Sequence, residues 1–172
     1  MVEQKQIGEV IGVQANFGFL AGNVPRLIDP NLGGGALLDI GIYLVSFASI
    51  FLGVPSKILA TGDLLPSGVD SHASISLHYK ENQVASLLYS FKGLLPNNAV
   101  VLGTEGYIRI DHTFWTPLKT TLVKQGKEEH FEFTLPGNRF LLKPGINVYR
   151  GKIQLYKLFW IILRSKTCTR EN

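Results

Sequence analysis

The segment that most constrains the fold runs from Gly33 to Gly53, GGGALLDIGIYLVSFASIFLG, and is apolar or small at nearly every position. Gly53, with Pro55 behind it, is a typical end of a helix, so the segment predicts one strongly apolar helix. The exceptions are a carboxylic acid at Asp39 and a phenol at Tyr43. A buried carboxylate must be paired or neutralised, so any fold for this chain has to provide a partner for Asp39.

Such a helix could cross a membrane, because about 20 apolar residues span a bilayer. Asp39 would then cost about 2.5–3.5 kcal/mol within the span, and no Lys or Arg lies between Arg26 and Lys57 to anchor its ends. A membrane protein anchored here, or by residues 155–163, is the weaker alternative. The sequence favours no membrane contact and a helix buried on two sides, between a sheet and a second domain.

Asp39 and Tyr43 are four residues apart and therefore share one face of the predicted helix. In one interpretation the pair is structural, and the Tyr43 hydroxyl or a backbone group from a loop satisfies the carboxylate. In the other interpretation both side chains line a site at the seam with another domain. Spacing alone leaves both interpretations open.

The rest of the chain is rich in predicted strands. The opening segment IGEVIGVQANFGF is typical of a strand and is followed by an irregular loop with Gly22, Pro25 and Pro30. SHASISLHY alternates in polarity and pairs with QVASLLYSF across residues 80–82, and AVVLGTEGYIRI and LKTTLVKQGKEEHFEFTL each predict a hairpin. We therefore expect an α+β fold: an open, mainly antiparallel sheet of about six or more strands with one apolar helix packed on a face.

Charge divides the chain into two parts. Residues 1–135 contain nine Lys and Arg against twelve Asp and Glu, a net charge of −3, whereas residues 136–172 contain eight against one, a net of +7. We expect one domain over 1–135 and a poorly docked basic tail over 136–172. The tail lacks a recognisable nucleic-acid module, the four histidines lack metal-ligand spacing, and Cys168 is the single cysteine, which favours a cytoplasmic location.

Several of these strings resemble the C-terminal domain of the Gfo/Idh/MocA oxidoreductases. The resemblance covers about residues 7–135 and is carried by RLIDPNLGGGALLDIGIYLVSFASIFLG, GVDSHASISLHY, SLLYSFKGLLPNNAVVLGTEGYIRI and FWTPLKTTLV. It is strongest toward the branch of NADP-dependent dihydrodiol and D-xylose dehydrogenases. The resemblance implies hydride transfer between a carbinol and a nicotinamide, a diol or sugar substrate, and a homo-oligomer formed through the sheet.

Carried over to this sequence, the resemblance places Asp39 and Tyr43 as the catalytic pair facing nicotinamide and substrate. Arg26, Trp115 and Phe140 are the candidate substrate contacts, although an Arg before a helix is often a structural clamp and large aromatics are often core residues. A hydroxyl must lose its proton when its carbon loses hydride, which is the task that Tyr43 or Asp39 would perform.

The sequence also departs from the family. No strand leads into a G-x-G-x-x-G turn, since the three glycines from Gly33 to Gly35 follow a loop, and the family's catalytic lysine has no counterpart. The long helix expected after Leu135 is replaced by the basic tail. We therefore expect a partial oxidoreductase that is inactive as this chain alone and binds no NADP by itself. The alternative is a non-catalytic isoform that pairs with full-length subunits through the open sheet.

Overall fold

The computed structural model describes residues 2, 5–117 and 119–132, and in these residues eight strands form one open sheet. The strands are β1 Val10–Gly18, β2 Lys57–Leu64, β3 Asp70–His78, β4 Val84–Ser90, β5 Ala99–Gly103, β6 Gly106–Ile110, β7 Lys119–Lys124 and β8 Lys127–Glu132. Their order is β2-β3-β4-β1-β5-β6-β7-β8. Every neighbouring pair is antiparallel except β1 and β4, so the predicted fold class is confirmed. Phe140 and the predicted tail, 136–172, lie outside the described residues.

The three predicted hairpins are present. β3 and β4 pair across a short turn at Lys80–Asn82, and β5 and β6 pair around residues 104–105. β7 and β8 turn at Gln125 and Gly126, whose φ angles of 51° and 74° are both positive. Positive φ at both central residues is what a tight two-residue hairpin turn requires.

β2 was not predicted from the sequence. It is an edge strand that pairs only with β3 among the described strands, and Ile58 is its single half-buried residue. A strand exposed on both faces shows no alternation of polarity, and Gly62 and Asp63 are poor strand formers. Tertiary pairing with β3 therefore decides its conformation.

β1 lies between β4 and β5, two strands that follow one another in the chain. The connection through residues 91–98 must therefore cross the end of β1. It does so at Gly18, where a Cβ atom would lie 2.7 Å from the Gly93 carbonyl oxygen and 2.8 Å from Leu95 Cγ. Only a glycine allows the two segments to approach so closely.

The apolar helix is confirmed and begins with a π-helical turn, Leu37–Gly41, that continues into α2, Ile42–Leu52. Its inner side packs on β1 and β4 and buries Leu44, Val45 and Ala48. The predicted irregular loop before it contains a short helix α1, Pro25–Ile28, which starts with proline at its first position, where no backbone N–H is needed. A single turn of 3₁₀ helix follows at Pro30–Leu32.

Within the described part of the chain, one helical segment, Pro30–Leu52, is long and apolar enough to cross a membrane by length and composition. Core helices of globular proteins meet the same criterion. Here the inner side of the segment is buried against the sheet, which is the position of a core helix.

The two faces of the sheet differ in their side chains. The face under α2 carries the core, which includes Val13, Ala15, Ile75, Leu77, Ala85, Leu87, Ala99 and Val101. Because side chains alternate along a strand, the registers place a second set on the opposite face, which we call the open face. Its large apolar side chains are partly exposed: Leu59, Val84, Leu88 and Leu102.

Candidate functional site

The partner of Asp39 is Arg26. The Arg26 guanidinium Nη1 donates to Asp39 Oδ1 at 2.9 Å, with α1 and the π-helical turn supplying one residue each. The Asp39 side chain is 30% exposed and that of Arg26 is 66% exposed. The acid therefore lies at the rim of the helix rather than in the core, and an arginine balances it in place of the tyrosine or loop backbone considered from the sequence.

The start of the helix is held by Asp70, at the beginning of β3. Asp70 Oδ2 accepts a hydrogen bond of 2.7 Å from the Leu37 backbone N–H, the first residue of the π-helical turn. Gly35 has φ +128°, and a Cβ there would lie 2.6 Å from Asp70 Oδ1, so the carboxylate needs a glycine at this point. Sequence analysis missed Asp70, because an acid 33 residues from its partner leaves no local signal.

The Asp70 carboxylate also affects Tyr89 on β4. Burial is the larger cause and Asp70 the second, and together they raise the pKa of the Tyr89 phenol far above its ordinary value. Tyr89 is therefore a neutral phenol at physiological pH. Its ring also packs near Gly41, where a Cβ would approach the ring at 3.1 Å.

The three glycines before the helix form a tight turn in the backbone. Gly33 N–H donates to the Pro30 carbonyl, Gly34 N–H to that of Asp29, and Gly35 N–H to that of Leu27. A phosphate cradle requires free backbone N–H groups at a helix N-terminus. Because all three N–H groups here bond to carbonyl oxygens, this turn does not fit the phosphates of a dinucleotide.

Aromatic rings form a wall beside the outer side of α2. Phe17 on β1 and Trp115 stack with centroids 4.0 Å apart and an interplanar angle of 12°. The Tyr43 ring stands edge-on to Phe17 at 5.8 Å and tilted against Trp115 at 6.3 Å. Tyr43 is 45% exposed, so its phenol is accessible to a ligand. We call these three rings the aromatic wall.

Buried aromatic rings support this wall. Phe114 meets both Phe17, at 6.2 Å, and Phe47 of α2, at 5.4 Å, in edge-to-face contacts, and its side chain is buried. Sequence analysis had named Trp115 but missed Phe17. The signal for Phe17 is weak, because an aromatic residue in a strand is usually a core residue.

Four of the five site residues predicted from the sequence thus lie in two contacting pairs. Arg26 pairs with Asp39, and Tyr43 contacts Trp115. Asp39 and Tyr43 are one helical turn apart and connect the two pairs. The fifth, Phe140, lies outside the described residues. The arrangement offers a proton donor or acceptor, an ion pair and flat ring faces in one place.

A metal centre has no support in the described part of the chain. No three His, Cys, Asp or Glu side chains there form a group that could hold a metal ion.

Comparison with known proteins gives consistent results. The family model described as GFO/IDH/MocA C-terminal domain matches residues 1–109. The trans-1,2-dihydrobenzene-1,2-diol dehydrogenase of Xenopus tropicalis is 40% identical over 134 residues, which are 77% of this chain and 40% of that protein. The Homo sapiens protein of the same name is 38% identical over 138 residues, 79% of this chain and 40% of that protein.

Solved structures show the same fold. A variant of KijD10, a 3-ketoreductase from Actinomadura kijaniata, was solved in complex with TDP-benzene and NADP. It matches with a TM-score of 0.64 and 25% identity, covering 77% of this chain and 41% of that chain. The chain thus spans about 40% of the length of the curated relatives that it matches.

Proposed function

The chain belongs to the Gfo/Idh/MocA oxidoreductase family, through its C-terminal domain, and we propose that it forms the substrate-binding side of an NADP-dependent dehydrogenase acting on a diol or sugar. The relatives are dehydrogenases and ketoreductases, one of them solved with NADP. The observation that carries the proposal is the partly exposed Tyr43 side chain, which contacts Phe17 and Trp115 and lies four residues along the helix from Asp39, the partner of Arg26.

In this proposal Tyr43 moves the proton. Tyr43 would act as a phenolate: it first gives its own proton to solvent and then takes the proton from the substrate hydroxyl as the carbonyl forms, while a nicotinamide, when bound, would supply the hydride acceptor. The partly exposed Tyr43 side chain provides the route to solvent, and the contacts with Phe17 and Trp115 hold its ring in place.

The ion pair orients the substrate. Arg26 donates one N–H to Asp39, and its guanidinium has further N–H groups for a substrate oxygen. Asp39 Oδ2 is available to accept from a neighbouring hydroxyl of a diol or sugar. Trp115 and Phe17 supply ring faces for the apolar side of the substrate ring. Phe140 remains a proposed substrate contact by resemblance alone.

A dinucleotide-binding domain has to complete this site. The glycine turn at residues 33–35 does not fit phosphates, as shown above, so we propose that the described residues contact only the nicotinamide end of the cofactor. The outer side of α2 supports docking of such a domain, because Ile50 there is 66% exposed and Val54, just after the end of the helix, is also exposed. An apolar helix exposed on one side is expected where a second domain packs.

The test is a fusion of this chain to a related family dinucleotide-binding domain that carries the family lysine, with a family-like C-terminal helix after residue 135. We expect the 172-residue chain alone to show no NADPH binding in a fluorescence titration, and the fusion to reduce NADP with a dihydrodiol or a pentose. Micromolar NADPH affinity of the chain alone would contradict the proposal that a separate domain binds the phosphates of the cofactor. A folded fusion that binds NADPH but oxidises neither substrate class would overturn the proposed activity.

A second proposed function is self-association, or pairing with full-length subunits, through the open face. Val84 and Leu102 flank Gly12 in one row across three strands, and a Cβ at Gly12 would contact both side chains. Leu88 lies on the same face farther along β4, beyond Ser86, with Ser74 of β3 and Asn16 of β1 as its neighbours. A flat surface of small and apolar side chains fits a second copy of itself. Co-expression with a tagged full-length relative should recover this chain on the tag; recovery unaffected by Leu88→Glu would contradict pairing through this face.

A further inference from the structure

The connection between β4 and β5, residues 91–98, supports the aromatic wall from behind. It crosses the end of β1 at Gly18, directly after Phe17. Gly18 and Asn16 alternate with Phe17 along the strand, so their substituents point to the open face while the Phe17 ring points toward α2. The connection therefore bonds β1 on both sides of Phe17, at Asn16 and at Gly18.

Asn97 makes three hydrogen bonds in this connection. Its Oδ1 accepts from the Gly18 N–H at 2.8 Å, and its own N–H donates to Asn16 Oδ1 at 2.8 Å. Its carbonyl oxygen accepts from the Phe114 N–H at 3.3 Å. Two of these bonds flank Phe17, and the third holds the residue immediately before Trp115.

The backbone conformation of Asn97 is specialised for this task. Its φ angle is +58°, in the left-handed region that asparagine and glycine tolerate better than other residues. In this conformation the side chain reaches one segment while the carbonyl faces the other. A second bond, from Asn16 Nδ2 to Asn98 Oδ1, adds to the same connection.

We propose that Asn97 is a positioning residue that fixes the Phe17–Trp115 stack and thereby the width of the aromatic wall beside Tyr43. Asn97 bonds the strand that carries Phe17 through its side chain and its N–H, and it bonds the turn that carries Trp115 through its carbonyl oxygen. The side chain therefore fixes the Phe17 end of this link between the two rings. The effect on a ligand rests on the proposed function, whereas the effect on the stack does not.

The test uses the environment of Trp115 in the full chain. The sequence has two tryptophans, so a Trp160→Phe background leaves Trp115 as the only reporter. Near-ultraviolet circular dichroism reports its fixed surroundings, and acrylamide quenching reports its exposure. Phe17→Ala removes the ring that stacks on Trp115, so its dichroism and quenching are the reference values for a protein without the stack.

Asn97→Gly keeps the left-handed backbone and the two backbone bonds of residue 97 but removes the Oδ1 acceptor. We expect the Trp115 dichroism band to weaken and quenching to rise most of the way to the Phe17→Ala value. Asn97→Asp keeps an acceptor at the same place and should restore both signals. Asn82→Gly is the matched control, because Asn82 is also left-handed, with φ +60°, and lies in the hairpin turn between β3 and β4.

If Asn97→Gly fails to fold, Asn16→Ala tests the positioning role of Asn97 instead. It removes the acceptor for the Asn97 N–H and the donor to Asn98 Oδ1 without changing any residue of the connection, and it should shift both Trp115 signals in the same direction. Wild-type signals in folded Asn97→Gly, or in folded Asn16→Ala where the glycine variant is unfolded, would overturn the proposal. A purely structural role would lower the unfolding temperature of Asn97→Gly and leave Trp115 in the folded protein unchanged.

A titration with trans-1,2-dihydrobenzene-1,2-diol separates this proposal from the proposed function. Quenching of Trp115 by the diol in the wild type, with weaker apparent affinity in Asn97→Gly than in Asn82→Gly, would support both. If the diol leaves wild-type fluorescence unchanged while Asn97→Gly still alters the Trp115 dichroism, the positioning role of Asn97 stands, and diol binding by this chain without a dinucleotide-binding domain fails.

Discussion

Arg26 and Asp39 meet at 2.9 Å across the loop that connects a short helix to the π-helical turn, thirteen residues apart in sequence. This ion pair explains how an acid is accommodated in so apolar a segment. Because both side chains are partly exposed, solvent screens much of their attraction, and the pair contributes little to stability. Its value is geometric: it holds the Arg26 guanidinium against Asp39, which lies four residues before Tyr43 in the helical segment.

We therefore expect Arg26→Ala to lower the free energy of unfolding by less than about 1 kcal/mol. In the active fusion described above, the same change should lower kcat/KM by about 10-fold to 100-fold, because a substrate oxygen loses its donor and Asp39 loses its position. Urea unfolding and steady-state kinetics measure the two effects.

Lys92→Ala is the matched control for Arg26→Ala. Lys92 pairs with Asp63 at the same 2.9 Å distance, and both side chains are exposed. It should cost similarly little stability and leave the kinetics unchanged. Equal losses of kcat/KM in the two variants would show that surface charge, rather than the position of Arg26, controls the reaction.

Tyr43→Phe should separate chemistry from binding. The phenylalanine ring keeps the contacts with Phe17 and Trp115, so only the hydroxyl is removed. We expect kcat of the fusion to fall by about 10²-fold to 10⁴-fold, while the NADPH dissociation constant stays the same. Tyr107→Phe, on the open face, is the control. An unaltered kcat would remove Tyr43 from proton transfer.

Leu88→Glu should prevent self-association. Leu88 is 40% exposed on the open face, and a charge there would have to be buried unpaired in an interface between two copies. Multi-angle light scattering should give a dimer or larger species for the wild type and a monomer for the variant. Ile50→Glu, on the helix side, should leave the mass unchanged; a wild-type monomer would contradict pairing through this face.

Tyr79→Phe should leave the protein equally stable or make it more stable, by up to about 1 kcal/mol. The Tyr79 side chain is buried, and its hydroxyl has no hydrogen-bond partner in the described part of the structure. Removing it relieves the cost of a buried polar group without changing the ring. Urea unfolding at neutral pH measures the effect, and a loss of more than about 1 kcal/mol would reveal a partner for the hydroxyl.

The pH dependence of stability provides a second measurement on Tyr79. Burial raises the pKa of Tyr79 from 10.0 to about 12, so the unfolded chain loses this proton at lower pH than the folded chain. The wild-type free energy of unfolding should therefore fall as pH rises from about 10 to about 12. Tyr79→Phe should show a shallower fall, and Tyr89, whose pKa is also raised, should account for part of what remains.

Most of the fold could be predicted because its strands and helix are marked by local patterns. Alternation of polarity identified β3 and β4, and the helix was evident from a long apolar segment ending at Gly53. β2 escaped because it is exposed on both faces. The parallel pairing of β1 with β4 was not predicted, because the register between strands distant in sequence depends on packing and leaves no local sequence pattern.

The candidate site was predicted in part, because helical spacing relates Asp39 to Tyr43 but says nothing about residues on other elements. Arg26 was named as a candidate substrate contact, but its contact with Asp39 depends on the path of the loop between them, which the sequence does not give. Phe17, Asp70 and Asn97 act through partners that are brought close only by the sheet. Asn97 follows Pro96 in the string LPNN, a turn signal that gives conformation but no partner.

The place of β1 in the sheet has a consequence for how the chain folds. β1 is synthesised before the other strands of this sheet, and both of its neighbours come much later, at residues 84–90 and 99–103. During synthesis both edges of β1 therefore remain without hydrogen-bond partners until β4 and β5 have been made. Insertion of β1 between them then joins strands β2–β4 and strands β5–β8 into one sheet. Contacts between residues so distant in sequence slow folding, and the unpaired strand edges are exposed to aggregation until the contacts form. Refolding of this domain should accordingly be limited by the docking of its N-terminal strand, and molecular chaperones that bind extended apolar segments would find their target at residues 10–18.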